Sequence, residues 1–283
     1  MKLLRYGPAG QEKPGLLDEG GTIRDLSAHM DDVTGADLSD GVLAKIAALD
    51  VHALPVVDGD PRLGPCVGGV GKFLGIGLNY LEHAKETGAQ VPDEPLLFTK
   101  HASCINGPFD DVVLPRTSTK ADWEVELGVV IGTAAKYIDE TDALSHVAGY
   151  CVVNDVSERA FQKERAGQWV KGKSCDTFGP IGPWLVTRDE VPDPQALDLW
   201  LDVNGQRRQT GNTSTMIFSV ARIVSYLSEF FTLQPGDVIT TGTPPGVGMG
   251  MNPQQFLNPG DIMCLGVQGL GEQRQHVVSD FNT

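Results

Sequence analysis

The stretch "DWEVELGVVIG", Asp122 to Gly132, sets two carboxylates, Glu124 and Glu126, inside a run of strand-forming apolar residues. In a strand, residues i and i+2 share a face, so the carboxylates point one way and Trp123, Val125 and Leu127 the other. Neighbouring like charges repel, and each loses hydration when the sheet is covered, so a buried version of this strand requires a compensating cation. An edge strand with a solvated acidic face satisfies the same pattern. The stretch alone leaves both readings open.

The rest of the chain narrows the class. At 283 residues it can bury a large core without staples. No apolar run approaches the roughly 20 residues of a membrane span, and no secretory or transit pattern opens the sequence, so a cytoplasmic protein with no membrane partner is expected. Five dispersed cysteines, never in C-x-x-C spacing, argue against a disulfide framework or a thiolate zinc site. A net charge of -15 argues against nucleic acid as a partner. An anionic small substrate would need locally concentrated cations.

Short strands and Gly-rich turns, "MKLLRYG" and "PGLLDEGGTIRDLS", precede a helix predicted over Ser39 to Asp50. The Gly-, Pro- and Asp-dense segment from Val56 to Lys72 places a boundary near residue 65, giving a small N-terminal domain (1–65) and a main domain (66–283). In the main domain "KFLGIGLNY", "PLLFTKHA", "DWEVELGVVIG" and "AGYCVVNDVS" read as strands, and "YLEHAKETG" as a short helix with a Gly stop. Apolar residues recur at helical spacing from Met216 to Phe231, the pattern of a core helix. Strands outnumber helices without the alternation of a doubly wound sheet, so the fold class is a β-rich, mixed α+β. P-loop, complete G-x-G-x-x-G and H-E-x-x-H motifs are all missing, which disfavours ATP, NAD and zincin chemistry.

Asp155 ends the apolar run "GYCVVND" and adds a third carboxylate to Glu124 and Glu126. An oxygen-only set favours Mg²⁺ or Mn²⁺ over zinc, although Asp155 alone also reads as a turn residue. His83 and Glu86 stand at i, i+3, close enough for the carboxylate to orient the imidazole, and such a dyad can activate water; the same pair also fits a solvated helix face. Lys100, Lys171, Lys173 and Arg159 each carry little weight alone.

Six blocks bring these residues together. "GLNYLEHAKE", "DWEVELGVVIG", "NDVSERAFQ", "KGKSCDTFGPIGPW", "STMIFSV" and "PGDVITTGTPPGVG" resemble, in type and order over residues 70 to 278, the fumarylacetoacetate hydrolase family. The resemblance implies a mixed β-sheet roll and a Mg²⁺ or Mn²⁺ site at Glu124, Glu126 and Asp155. It also implies a lid-borne dyad at His83 and Glu86, a catalytic Lys173, and substrate contacts at Arg159, Gln162 and Thr243. Lys100 transfers as a substrate contact from a block that departs from the family, "FTKHA" standing where relatives carry F-x-K-P.

The implied activity is metal-dependent hydrolysis of the C–C bond of a 2,4-diketo acid. Decarboxylation of a 2-keto acid such as oxaloacetate, enol isomerisation and ureidoglycolate cleavage are alternatives on the same site. Over its full length the chain resembles the branch acting on 2,4-diketo-3-deoxy-L-rhamnonate, which yields pyruvate and L-lactate in sugar breakdown. Homodimers or homotetramers are implied as well. The reading outside enzymology is a silent binding or scaffold protein, and the intact set of carboxylates, dyad and lysine speaks against it.

Overall fold

The computed structural model describes residues 1–280. Its spine is a ten-stranded mixed sheet in the order Ile23–Asp25, Lys13–Leu17, Lys2–Tyr6, Gly179–Thr187, Val147–Asn154, Val125–Ile131, Val238–Thr240, Phe73–Gly77, Leu96–Lys100. The short Ile105–Asn106 strand pairs off this path with Gly179–Thr187. A five-stranded sheet follows the order Gln206–Asn212, Asp198–Val203, Ile262–Val267, Gly271–Ser279, Val112–Leu114. The helices are α1 (Asp40–Ala47), α2 (Leu81–Glu86), α3 (Val170–Lys173) and α4 (Val220–Phe230). None of the described helices is long and apolar enough to cross a membrane.

The period-two rule sorts the central strands between two cores. Trp123, Val125, Leu127, Val129 and Ile131 enter one cluster with Leu199, Leu201 and Leu265 of the smaller sheet and Ile223, Val224 and Leu227 of α4. Val130, Cys151 and Val153 enter another, with Leu3, Leu16, Leu26, Leu43 and Ile46 of the N-terminal segment. The large sheet is therefore covered on both faces, and the Glu-x-Glu strand lies at its centre rather than at an edge.

The boundary expected near residue 65 is not a break in the sheet. Lys2 and Leu3 pair with Val186 and Leu185, so the first three strands extend the spine.

α4 begins four residues later than its apolar spacing predicts. Met216 is bridged to Tyr80, and the N–H groups of Ile217 and Phe218 donate to the Asn79 carbonyl and side-chain oxygens at 2.8 Å each. Extended pairing with the segment that launches α2 outcompetes the first helical turn. The Ser219 hydroxyl then accepts from the Arg222 N–H at 3.1 Å and caps the helix. All five cysteines are free.

Candidate active site

A cavity of about 100 Å³ opens where the Glu-x-Glu strand, α2, α3 and the Gly242–Met249 loop meet. Its walls include His83, Glu124, Glu126, Arg159, Gln162 and Lys173. Gly242, Thr243, Phe98 and Trp169 line it as well. The residues predicted from separate blocks thus converge, although they come from elements far apart in the sequence.

Glu124 and Glu126 line it, and Asp155 joins them in a buried carboxylate cluster. Glu126 lies in the strand, Glu124 just ahead of it, and Asp155 just beyond the antiparallel neighbour, where register sets Val125 opposite Asn154. One ligand oxygen from each of Glu124, Glu126 and Asp155 lies within 4.8 Å of the others, and all three residues are buried. The Lys173 Nζ bridges Glu124 Oε2 at 2.6 Å and Asp155 Oδ2 at 2.5 Å, and the Arg159 Nη2 stands 2.7 Å from Glu124 Oε1 as an ion pair without hydrogen-bond alignment. Burial drives the Glu124 carboxyl upward, but Lys173, Arg159 and His83 outweigh it and hold it well below the usual range.

Glu126 is different. Its Oε2 accepts from the Thr240 hydroxyl at 2.5 Å and the Gly242 N–H at 2.6 Å, and it has no ion-pair partner among the described residues. Burial, Asp155 and Glu124 raise its carboxyl well above the usual range. A divalent cation held by the three carboxylates would supply the missing positive charge, so the donor set fits one of the hard cations Mg²⁺ and Mn²⁺.

The loop lining the cavity needs glycine at defined points. Gly242 has φ +98°, and a Cβ there would sit 2.7 Å from the Asn79 side chain. Gly246 has φ +108°, and a Cβ would meet the Arg208 carbonyl oxygen at 2.0 Å. Only glycine adopts both without strain, and both N–H groups are used on carboxylates. The Gly246 N–H donates to Glu86 at 2.9 and 3.1 Å, and Glu86 Oε1 lies 2.8 Å from His83 Nδ1. With Nδ1–H directed at Glu86, the other ring nitrogen of His83 is left as the proton acceptor.

Other predicted contacts are placed less directly. The Thr243 hydroxyl is used inside the protein: it donates to the Val125 carbonyl at 2.9 Å and accepts from Gln209 Nε2 at 2.7 Å. Gln162 reaches Arg159 Nη1 through its Oε1 at 3.2 Å. Lys100, expected to touch substrate, is not on the cavity wall; its Nζ donates to Asp155 Oδ1 at 2.6 Å and to the Phe178 carbonyl at 3.0 Å. We propose that it braces Asp155 from behind. Lys100→Met should therefore cost about 3 kcal/mol, the lower end for breaking a buried ion pair because Lys173 remains on Asp155. Urea unfolding checks this, and a cost below about 1 kcal/mol would remove the brace.

Sequence reasoning missed three residues. Lys163 and Trp169 line the cavity from the segment between Gln162 and Lys173, and Asp122 lies fully buried behind Arg159. Burial lowers the Lys163 ammonium pKa, as does the neighbouring Arg159. Asp122 directly precedes the Trp-Glu-x-Glu run, yet nothing local distinguishes it from a strand-end polar residue.

Comparison with known proteins gives the family. The family model described as the C-terminal part of fumarylacetoacetate (FAA) hydrolase matches residues 72–278. The chain belongs to the fumarylacetoacetate hydrolase family. A presumptive hydrolase of Burkholderia lata is 65% identical to it over 277 residues, 98% of each chain.

Three solved structures of the family's fold each cover 99% of this chain and 99% of their own. Fumarylacetoacetate hydrolase from Exiguobacterium antarcticum is 34% identical with a TM-score of 0.88. Maleylpyruvate hydrolase from Sphingobium sp. SYK-6, in complex with manganese(II) and pyruvate, is 29% identical at 0.82. A 5-carboxymethyl-2-hydroxymuconate delta-isomerase from Mycobacterium smegmatis is 30% identical at 0.77. Hydrolases and isomerases thus share this fold, and the fold does not choose between them.

Proposed function

We propose that this family member is a metal-dependent hydrolase that cleaves the C3–C4 bond of a 2,4-diketo acid and releases pyruvate. The observation that carries the reading is the meeting, on one small cavity, of a carboxylate-oriented histidine, a buried lysine and two of three clustered buried carboxylates, Glu124 and Glu126, with Asp155 completing the cluster. The manganese(II) and pyruvate held by the Sphingobium maleylpyruvate hydrolase support it.

In this mechanism His83, oriented by Glu86, takes a proton from water, and the resulting hydroxide adds to C4. The Lys173 ammonium, which its carboxylate neighbours keep charged against the cost of burial, stabilises the oxygen that becomes negative. The C3–C4 bond then breaks, its electron pair passing to the pyruvyl fragment as an enolate, which is protonated at C3. Arg159 and Gln162 hold the substrate's anionic end. A divalent cation bound by Glu124, Glu126 and Asp155 supplies Lewis-acid stabilisation of the negative charge.

For the acyl tail we propose the 2,4-diketo-3-deoxy-L-rhamnonate skeleton, on the full-length sequence resemblance, with L-lactate as the second product. The second reading is isomerisation or decarboxylation on the same site without water attack, supported by the delta-isomerase on this fold. The dyad favours hydrolysis, because those reactions need no general base for water.

The test follows loss of enol absorbance of a synthetic 2,4-diketo acid with Mg²⁺, Mn²⁺ or EDTA, with pyruvate assayed as product. Metal-dependent pyruvate release is expected. No release from any 2,4-diketo acid, alongside turnover of oxaloacetate or an enol substrate, would overturn the hydrolase in favour of the second reading.

A further inference from the structure

Asp122 is 0% exposed, and its carboxylate collects four donors from three directions. Oδ1 accepts from its neighbour Trp123 N–H at 2.9 Å and from Gly248 N–H at 2.7 Å. Oδ2 accepts from Met249 N–H at 3.0 Å and from Arg159 Nε at 2.8 Å. A buried carboxylate needs this many partners to offset its desolvation, and here the partners are parts of the site. The loop that Asp122 grips at Gly248 and Met249 also presents the Gly246 N–H to Glu86. The guanidinium it grips lines the cavity and pairs at its far end with Glu124.

We propose that Asp122 is a positioning residue that aims Arg159 into the cavity and, through the same loop, steadies the Glu86–His83 pair. Held by the Nε–H to Asp122, Arg159 keeps a fixed reach to Glu124 and to the substrate's anionic end. Without Asp122, one positive charge loses its counter-charge and Arg159 can settle more fully on Glu124, away from substrate. Glycine at 248 lets the loop come this close: a Cβ there would lie 1.9 Å from the Gln255 carbonyl oxygen and 2.9 Å from Asp122 Oδ1.

The proposal rests on the hydrolase reading for the role of Arg159, and its test separates the two. Full-length wild type, Asp122→Asn, Arg159→Ala and the double variant are compared for KM with a synthetic 2,4-diketo acid. The same four are compared for oxalate affinity in the presence of Mn²⁺ by calorimetry, with circular dichroism to check folding. Asp122→Asn is expected to raise KM and the oxalate Kd about tenfold, the effect of one charge-assisted hydrogen bond, and to add less than about twofold on top of Arg159→Ala.

Penalties that simply add, or a folded Asp122→Asn variant with wild-type KM and Kd, overturn the proposal and leave the hydrolase reading standing. Wild type that binds oxalate but cleaves no 2,4-diketo acid overturns the hydrolase reading, and the oxalate cycle then decides Asp122 alone. Wild type that does neither overturns both. If Asp122→Asn does not fold, Asp122→Ser takes its place in the same cycle; a penalty that largely disappears on top of Arg159→Ala supports the proposal, and penalties that add, or wild-type KM and Kd, overturn it.

Discussion

Glu126→Gln is expected to lose tight Mn²⁺ binding and about 10³-fold in turnover, and yet to stabilise the metal-free protein above neutral pH. The loss follows from removing one of three carboxylates that fit a divalent cation: several kcal/mol of charge stabilisation is involved, at about 1.4 kcal/mol per factor of ten. The stabilisation follows from the raised carboxyl of Glu126, caused first by burial and then by Asp155 and Glu124. Its folded-state pKa lies above the unfolded value, so between the two the folded protein binds more protons than the unfolded chain. By linkage, stability then falls as pH rises through that window.

A neutral amide removes this penalty, and its oxygen still accepts from Thr240 and Gly242. Thermal unfolding in EDTA from pH 4 to 9 should show the wild-type midpoint dropping with pH relative to the variant. Mn²⁺ titration and turnover read the other half. A folded Glu124→Ala, Glu126→Ala variant with full activity would sink the metal mechanism altogether.

His83→Ala should lose roughly 10²- to 10⁴-fold in kcat, the usual worth of a positioned general base, while Mn²⁺ affinity stays within about twofold of wild type. His83 lines the cavity but is not among the clustered carboxylate ligands, so the two properties separate. Glu86→Gln should fall between, because the Gly246 N–H still holds the side chain and its amide oxygen still accepts from His83 Nδ1–H, keeping the ring oriented. Single-turnover rates in saturating substrate isolate the chemical step. An unchanged rate removes His83 from the mechanism and moves the assignment to a reaction without water attack.

The site was legible in the sequence to the extent that it is written in local patterns. The Glu-x-Glu alternation survives folding intact, Trp123, Val125 and Leu127 entering one core while Glu124 and Glu126 face the cavity. Spacing alone also brings His83 to Glu86, three residues apart on α2. Helix α4 is the counter-example within one element: its apolar period is real, yet Met216 to Phe218 are drawn into pairing with the Asn79–Tyr80 segment.

By itself, the sequence determined which side chains could do chemistry and which faces of each element were apolar, since these depend on residue type and on periods of 2 and 3.6. Tertiary structure decided what those side chains meet. Antiparallel register brought Asp155 opposite Glu124, and the position of Lys100 behind Asp155 took its ammonium off the cavity wall. Burial of Gln209 consumed the Thr243 hydroxyl, and the turn at Gly246 to Met249 made Asp122 an anchor. Such outcomes depend on contacts between residues more than thirty positions apart, and a charge's effect is set by its desolvation and its neighbours, neither of which a local pattern carries.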